Sequence, residues 1–238
     1  AYTKHPVFQG AARRAAELLG PDLRVVYLVR EPIARLASQH RHEVALGKLH
    51  TVPDVNRAIR EIPRYVDYSR YAMQLEHWLD ALGPERVRVI IFERYAADRV
   101  RTIEELSRFL GLDPVTEGID QGRAYNRAED KRVTRGPLRH LVNSGLYRST
   151  IRPLLGPDTR QKLRRLLPKA KKPVAKLTAE SRAWAAEQLA EDTARFVSLL
   201  GEHDLALPRA AGPFRGWETA SDPARTADEA EPGGDDGR

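Results

Sequence analysis

Val25-Val26-Tyr27-Leu28-Val29-Arg30-Glu31-Pro32-Ile33-Ala34-Arg35-Leu36-Ala37-Ser38-Gln39-His40-Arg41-His42 is the stretch that decides the fold. It opens as a short apolar run with three β-branched residues, the pattern of a parallel strand buried on both faces. The strand ends on Arg30. Pro32 follows, and its fixed φ and missing N–H suit the first turn of a helix. A guanidinium at the carboxyl end of a strand, ahead of a helix carrying Arg35, Ser38 and two histidines, forms a candidate anion site. Ligands of open α/β sheets lie beyond the carboxyl ends of the strands. The plain alternative is a solvated strand end beside an ordinary helix-surface serine, and strand, arginine and proline alone do not separate the two.

Working outward, Phe8, Ala11, Ala12, Ala15, Leu18 and Leu19 recur at helical spacing, and Gly20-Pro21-Asp22 stops that helix. After the opening strand, a helix is predicted over residues 32–46, a loop over 47–53, and two helical stretches broken at Pro63. The second of these places Tyr71, Leu75, Trp78, Leu79 and Leu82 on one face. Residues 87–92 (Val-Arg-Val-Ile-Ile-Phe) form the other strong strand. Two strands joined through helices call for a right-handed parallel crossover, hence a three-layer α/β/α sheet. Val100, Ile103, Leu106, Phe109 and Leu110 mark another amphipathic helix closed by Gly111. Thr178 reads as the N-cap of a long last helix with Trp184, Ala185, Leu189, Phe196 and Leu200 inward.

The whole chain bounds these readings. Its 238 residues suffice for one substantial core. It contains no cysteine, which excludes disulfides, thiol catalysis and thiolate-held metals. No apolar run is long enough to cross a bilayer and no signal segment opens the chain, so a cytoplasmic protein is expected. The net charge of +7 is unevenly spread. Residues 131–176 hold fourteen Lys or Arg against one acid, Asp158, whereas residues 215–238 hold seven acids and three arginines. The basic stretch implies an anionic partner or a solvated cationic face. Residues 209–238 read as a disordered acidic tail behind a domain of residues 1–208, being too poor in apolar side chains to pack.

Arg-x-Pro-x-x-Arg-x-x-Ser directly after a hydrophobic strand resembles the 3′-phosphate-binding segment of sulfotransferases, which use 3′-phosphoadenosine 5′-phosphosulfate (PAPS). Tyr68-Ser69-Arg70-Tyr71 through Leu79, then Gly83-Pro84-Glu85-Arg86-Val87, Val89 to Arg94 and Phe109-Leu110-Gly111-Leu112 are similar to the bacterial and heparan-type members, in the same order. The resemblance covers most of residues 1–208 and implies a phosphate-loop-like α/β fold. It implies that Arg30 and Ser38 hold the 3′-phosphate, the guanidinium as a planar fork and the hydroxyl as a further donor. Asn126, Lys131 and Arg132 fall where the family places a basic loop over the nucleotide, with residues 169–172 as a second placement. His42 lies one helical turn after Ser38. It resembles a histidine near the reacting group of some N-sulfotransferases, where an imidazole accepts the acceptor's proton. Its bland reading is a surface histidine. His40 replaces an aromatic that the family often carries.

Sulfotransferases of this kind also have a strand and a glycine–lysine turn that cradles the 5′-phosphosulfate through backbone N–H groups. No such segment stands in the sequence, and Ala1-Tyr2-Thr3-Lys4 resembles the tail of the family's acid-containing motif. The expectation is an N-terminally truncated domain, impaired in catalysis, that recognises PAPS or its product 3′-phosphoadenosine 5′-phosphate (PAP). The implied reaction moves a sulfuryl group to a hydroxyl or amine of a glycan, lipid or small molecule, without a metal. Residues 131–176 support a competing reading as a noncatalytic binder of nucleic acid or another polyanion. Against it, that stretch has a single aromatic, Tyr147, so no stacking platform and no nucleic-acid partner is expected. Leucines interleaved with cations over residues 163–176 suit peripheral membrane contact, though Pro168 and Pro173 break a continuous helix. A phosphate-loop kinase would need Gly-x-x-x-x-Gly-Lys-Ser/Thr, which is not in the sequence.

Overall fold

The computed structural model describes residues 4–45, 54–119 and 176–209. Helix α1 (Ala11–Leu19) leads into strand β1 (Val25–Val29), and helix α2 (Pro32–Ala45) follows directly. Helices α3 (Val55–Glu61), α4 (Arg64–Asp67) and α5 (Tyr71–Leu82) precede a 3-10 turn and strand β2 (Val87–Ile91). Then come α6 (Phe92–Ala97), α7 (Arg99–Leu110), the long α8 (Ala179–Glu202) and a short strand β3 (Ala206–Leu207). The sheet is parallel in the order β1-β2-β3, with Val25 opposite Val87 and Val29 opposite Ile91. Val89 and Ile90 pair with Ala206 and Leu207 on the other side. This is an α/β protein with a parallel sheet, as the two hydrophobic runs predict. Strand β3 is an addition: two residues are too few to show a period in the sequence.

One face of the sheet holds the main core. Tyr27, Val29, Val87, Val89 and Ile91 point to it, and Ala12, Leu75, Trp78, Leu82, Phe196 and Leu199 pack over them from α1, α5 and α8. Complete burial of an aromatic such as Phe196 is worth roughly 3 kcal/mol, and this residue is fully buried. A second cluster joins Ile33 and Leu36 of α2 to Ile59, Tyr65 and the first half of α8, through Ala185 and Leu189. The long helix therefore links the sheet to the helix that leaves it. On the opposite face, the Arg88 guanidinium lies 4.8 Å from the centre of the Phe109 ring of α7.

Two expectations need correction. Strand β1 is not buried on both faces: Tyr27 and Val29 are buried, whereas Val26 is 37% and Leu28 58% exposed. On the other face α7 reaches the sheet at Arg88, through Phe109, and leaves Val26 and Leu28 of β1 exposed. In α1 the leucines are not the buried face. Leu18 is 83% and Leu19 66% exposed, Phe8 lies before the helix, and Ala12, Ala15 and Ala16 make the contact instead. Small side chains let α1 approach α5 closely, and at similar spacing the alanine stripe takes the interface.

Thr178 caps the long helix as predicted, its Oγ1 accepting the Ser181 N–H at 3.1 Å. Asp54, which the sequence reading does not single out, caps α3: its Oδ1 accepts the N–H groups of Asn56 and Arg57. Gly111, at φ 73°, closes α7 in the left-handed conformation that glycine adopts freely.

Candidate functional site at the carboxyl ends of the strands

Parallel pairing of β1 with β2 brings the residues that leave each strand side by side. Arg30 leaves β1, while Phe92 and Glu93 leave β2 and open α6. The Arg30 guanidinium stands 5.5 Å from the centre of the Phe92 ring, a cation–π contact on a ring that is 38% exposed. Glu93 Oε1 lies 3.9 Å from Arg30 Nε, with both side chains about two-fifths exposed. The same oxygen accepts the Glu31 backbone N–H at 3.0 Å. Arg30 Nε itself is buried and makes no hydrogen bond. A partly exposed guanidinium at a strand end suits an anionic ligand.

The turn from β1 into α2 is firmly set. Glu31 Oε1 accepts the Ile33 N–H at 2.9 Å and its other oxygen accepts that of Ala34. A carboxylate thus already occupies the positive end of α2, so a ligand anion at this turn relies on Arg30 and the side chains beyond the first turn. The Tyr71 hydroxyl donates to the Arg30 carbonyl at 2.7 Å, tying the start of α5 to the end of β1. Burial raises the Tyr71 hydroxyl well above its ordinary pKa, so it stays a donor. Arg35, the second arginine of the motif, donates to Ser69 Oγ at 3.1 Å, and Ser69 in turn donates to the Tyr65 carbonyl. Arg35 thus braces α2 against α4.

Of the residues singled out from sequence, Arg30, Ser38 and His42 lie on one continuous segment. Ser38 is half-buried in α2 and His42 is exposed one turn further on. Spacing places the two on a common face. Among the described residues, neither side chain forms a hydrogen bond with another. Asn126, Lys131 and Arg132 lie outside the described residues, as do residues 169–172, nearly all of the basic stretch and the acidic tail beyond Arg209. Sequence reasoning passed over Phe92 and Glu93. Their signals are position at the end of the second strand and membership of the Val89–Arg94 stretch, and neither says what they face.

A neighbouring network shows the same residue types in a closed setting. Glu43, 6% exposed, accepts from Arg64 Nη2 at 2.9 Å, the Tyr65 hydroxyl at 2.9 Å and Gln39 Nε2 at 2.8 Å. Burial pushes the Glu43 carboxyl up, but these three hydrogen bonds and the Arg64 charge outweigh it, leaving the group below its ordinary range. Elsewhere, an open cavity of about 320 Å³ is lined by residues before and within α1 and by the outer side of α5, including His5, Phe8, His77 and Trp78. No strand end reaches it.

The fold is α/β with a parallel sheet, and Arg30 stands at the carboxyl end of its first strand. Residues 14–135, just over half of the chain, match the sulfotransferase domain family. The chain belongs to that family. It is 27% identical over 124 residues to the Drosophila melanogaster bifunctional heparan sulfate N-deacetylase/N-sulfotransferase, a match spanning 46% of this chain and 12% of the fly protein. It also superposes on the sulfotransferase of Alicyclobacillus acidocaldarius with a TM-score of 0.47 at 22% identity, over 84% of this chain and 62% of that one.

Among the described residues no three His, Asp or Glu side chains are grouped as metal ligands. No described helix is long and apolar enough to cross a membrane.

Proposed function

We propose that the chain binds PAPS with the 3′-phosphate on Arg30 and Ser38, and serves transfer of its sulfuryl group to an acceptor hydroxyl or amine. The observation that carries this is Arg30: a partly exposed guanidinium at the carboxyl end of a parallel strand, with an Nε that makes no hydrogen bond and an aromatic ring alongside. The donor supplies an electrophilic sulfuryl group on an anionic leaving group, and as with phosphoryl transfer the protein's work is positioning and charge stabilisation. Arg30 would take the phosphate oxygens in a charge-assisted pair. Ser38 would donate from α2, about 9 Å along the helix from Pro32 at 1.5 Å per residue. His42, one turn beyond, would accept the acceptor's proton on a ring nitrogen. Asn126, Lys131 and Arg132 are the candidates for covering the nucleotide from the basic loop.

Among the described strands, none is followed by a glycine–lysine turn. Donor binding through the 3′-phosphate and sulfuryl transfer are therefore separable questions, and two assays answer them. Calorimetric titration with PAP is expected to give binding that Arg30→Ala weakens about thirtyfold. Transfer of radiolabelled sulfate from PAPS is then followed to N-desulfated heparan sulfate first, given the name of the fly relative, and to hydroxyl acceptors second. PAP binding indifferent to Arg30→Ala, or equal binding of any polyanion, would replace this reading with that of a general polyanion binder.

A further inference from the structure

We propose that Glu93 is a built-in counter-ion of Arg30 that weakens the grip on the ligand's phosphate, so that the spent nucleotide can leave. This rests on the reading of Arg30 as a phosphate-binding residue. The geometry is specific. Glu93 Oε1 is held in place by the Glu31 N–H at 3.0 Å, a backbone donor in the turn that follows Arg30. From there it faces Arg30 Nε at 3.9 Å, near enough for attraction and too far for a hydrogen bond. Phe92 stacks beside the guanidinium and limits where it can go. Glu31, the other carboxylate of the turn, is spent on the N–H groups of Ile33 and Ala34. Glu93 is thus the described carboxylate whose charge is aimed at Arg30 itself.

An arriving phosphate has to compete with that charge, and a departing one is replaced by it. A site meant only to hold its anion tightly would leave Arg30 without a carboxylate neighbour. A site that must release a product carrying the same 3′-phosphate as its substrate gains from a weak internal competitor.

The role predicts a sign that a structural role does not. A residue that merely shapes the turn weakens binding when altered, whereas removal of a competing charge strengthens it. Glu93→Gln keeps an oxygen to accept the Glu31 N–H and loses the charge. In 20 mM salt its PAP affinity is expected to rise about two- to fivefold, the range of a solvent-exposed ion pair. In 0.5 M salt the gain should shrink toward none as the charges are screened. Stopped-flow measurement should place most of the gain in a slower dissociation rate. A folded Glu93→Gln protein that binds PAP equally or more weakly at low salt overturns the proposal. If that variant fails to fold, Glu93→Ala, which also removes the charge, is judged by the same sign. Should wild-type protein show no Arg30-dependent PAP binding at all, the failure lies with the proposed function. Wild-type binding that Arg30→Ala strongly weakens and Glu93→Gln does not improve isolates failure of the counter-ion role.

Discussion

Two glutamate–arginine pairs flank the same helix, and they differ in almost everything except residue type. At the strand ends, Arg30 and Glu93 stand 3.9 Å apart, both partly exposed, with Arg30 Nε left without a hydrogen bond. On the far side of α2, Glu43 is nearly sealed and takes hydrogen bonds from Arg64, Tyr65 and Gln39. The first pair is partly exposed and its members share no hydrogen bond, so under the proposed function a ligand phosphate can displace Glu93 from Arg30. The second has spent its acceptors inside the protein and can only hold α2 against α4. Charge type does not distinguish a site from a brace. Saturation and burial do.

Breaking the closed pair should have the largest effect. Glu43→Ala strands a buried hydroxyl and a partly buried guanidinium, and should cost about 3 kcal/mol, the lower end of the range for a broken buried pair because Arg64 still reaches water. Urea denaturation at neutral pH checks this. The same pair should make the protein acid-sensitive. The folded carboxyl lies below its ordinary value of 4.5, so its contribution is fully present above that pH and is lost progressively as pH falls toward the lower folded value. A stability–pH curve that is equally steep in Glu43→Gln would show that the acid sensitivity arises elsewhere.

The open pair should behave in the opposite way. Arg30→Ala is expected to reduce PAP affinity roughly thirtyfold, or about 2 kcal/mol, the worth of a hydrogen bond to a charged group. Its melting temperature should stay near that of wild type, because exposed ion pairs contribute at most about 1 kcal/mol to folding. A large drop in melting temperature would place Arg30 with the braces. At the small end, Thr178→Ala removes the cap of α8, the helix that joins the two cores, and should cost about 1 kcal/mol with no change in PAP binding.

Much of the frame could be read along the chain. Both hydrophobic strands, the helix after Pro32, the Thr178 cap and the inward residues Ala185, Leu189, Phe196 and Leu200 stand where the spacing predicts them. Apolar periodicity and caps are local properties, and local sequence encodes them. The reading failed where identity had to be weighed against a partner. In α1 both alanines and leucines recur at helical spacing, and only the closeness of α5 selects the alanines. In β1 a continuous apolar run predicts two covered faces, whereas Val26 and Leu28 on one of them are exposed.

The candidate site divides along the same line. Arg30, Ser38 and His42 are legible because they share one strand–helix segment with fixed spacing. Phe92 and Glu93 are more than sixty residues further on in sequence. They reach Arg30 because the parallel register sets Val29 opposite Ile91. By itself the sequence determined the strand–turn–helix that carries the arginine, since backbone preference and apolar pattern are short-range. Only the tertiary structure decided what that arginine faces, which of two carboxylates caps the helix and which attends the guanidinium. Electrostatic neighbours are set by strand pairing across the sheet, and chain order does not record it.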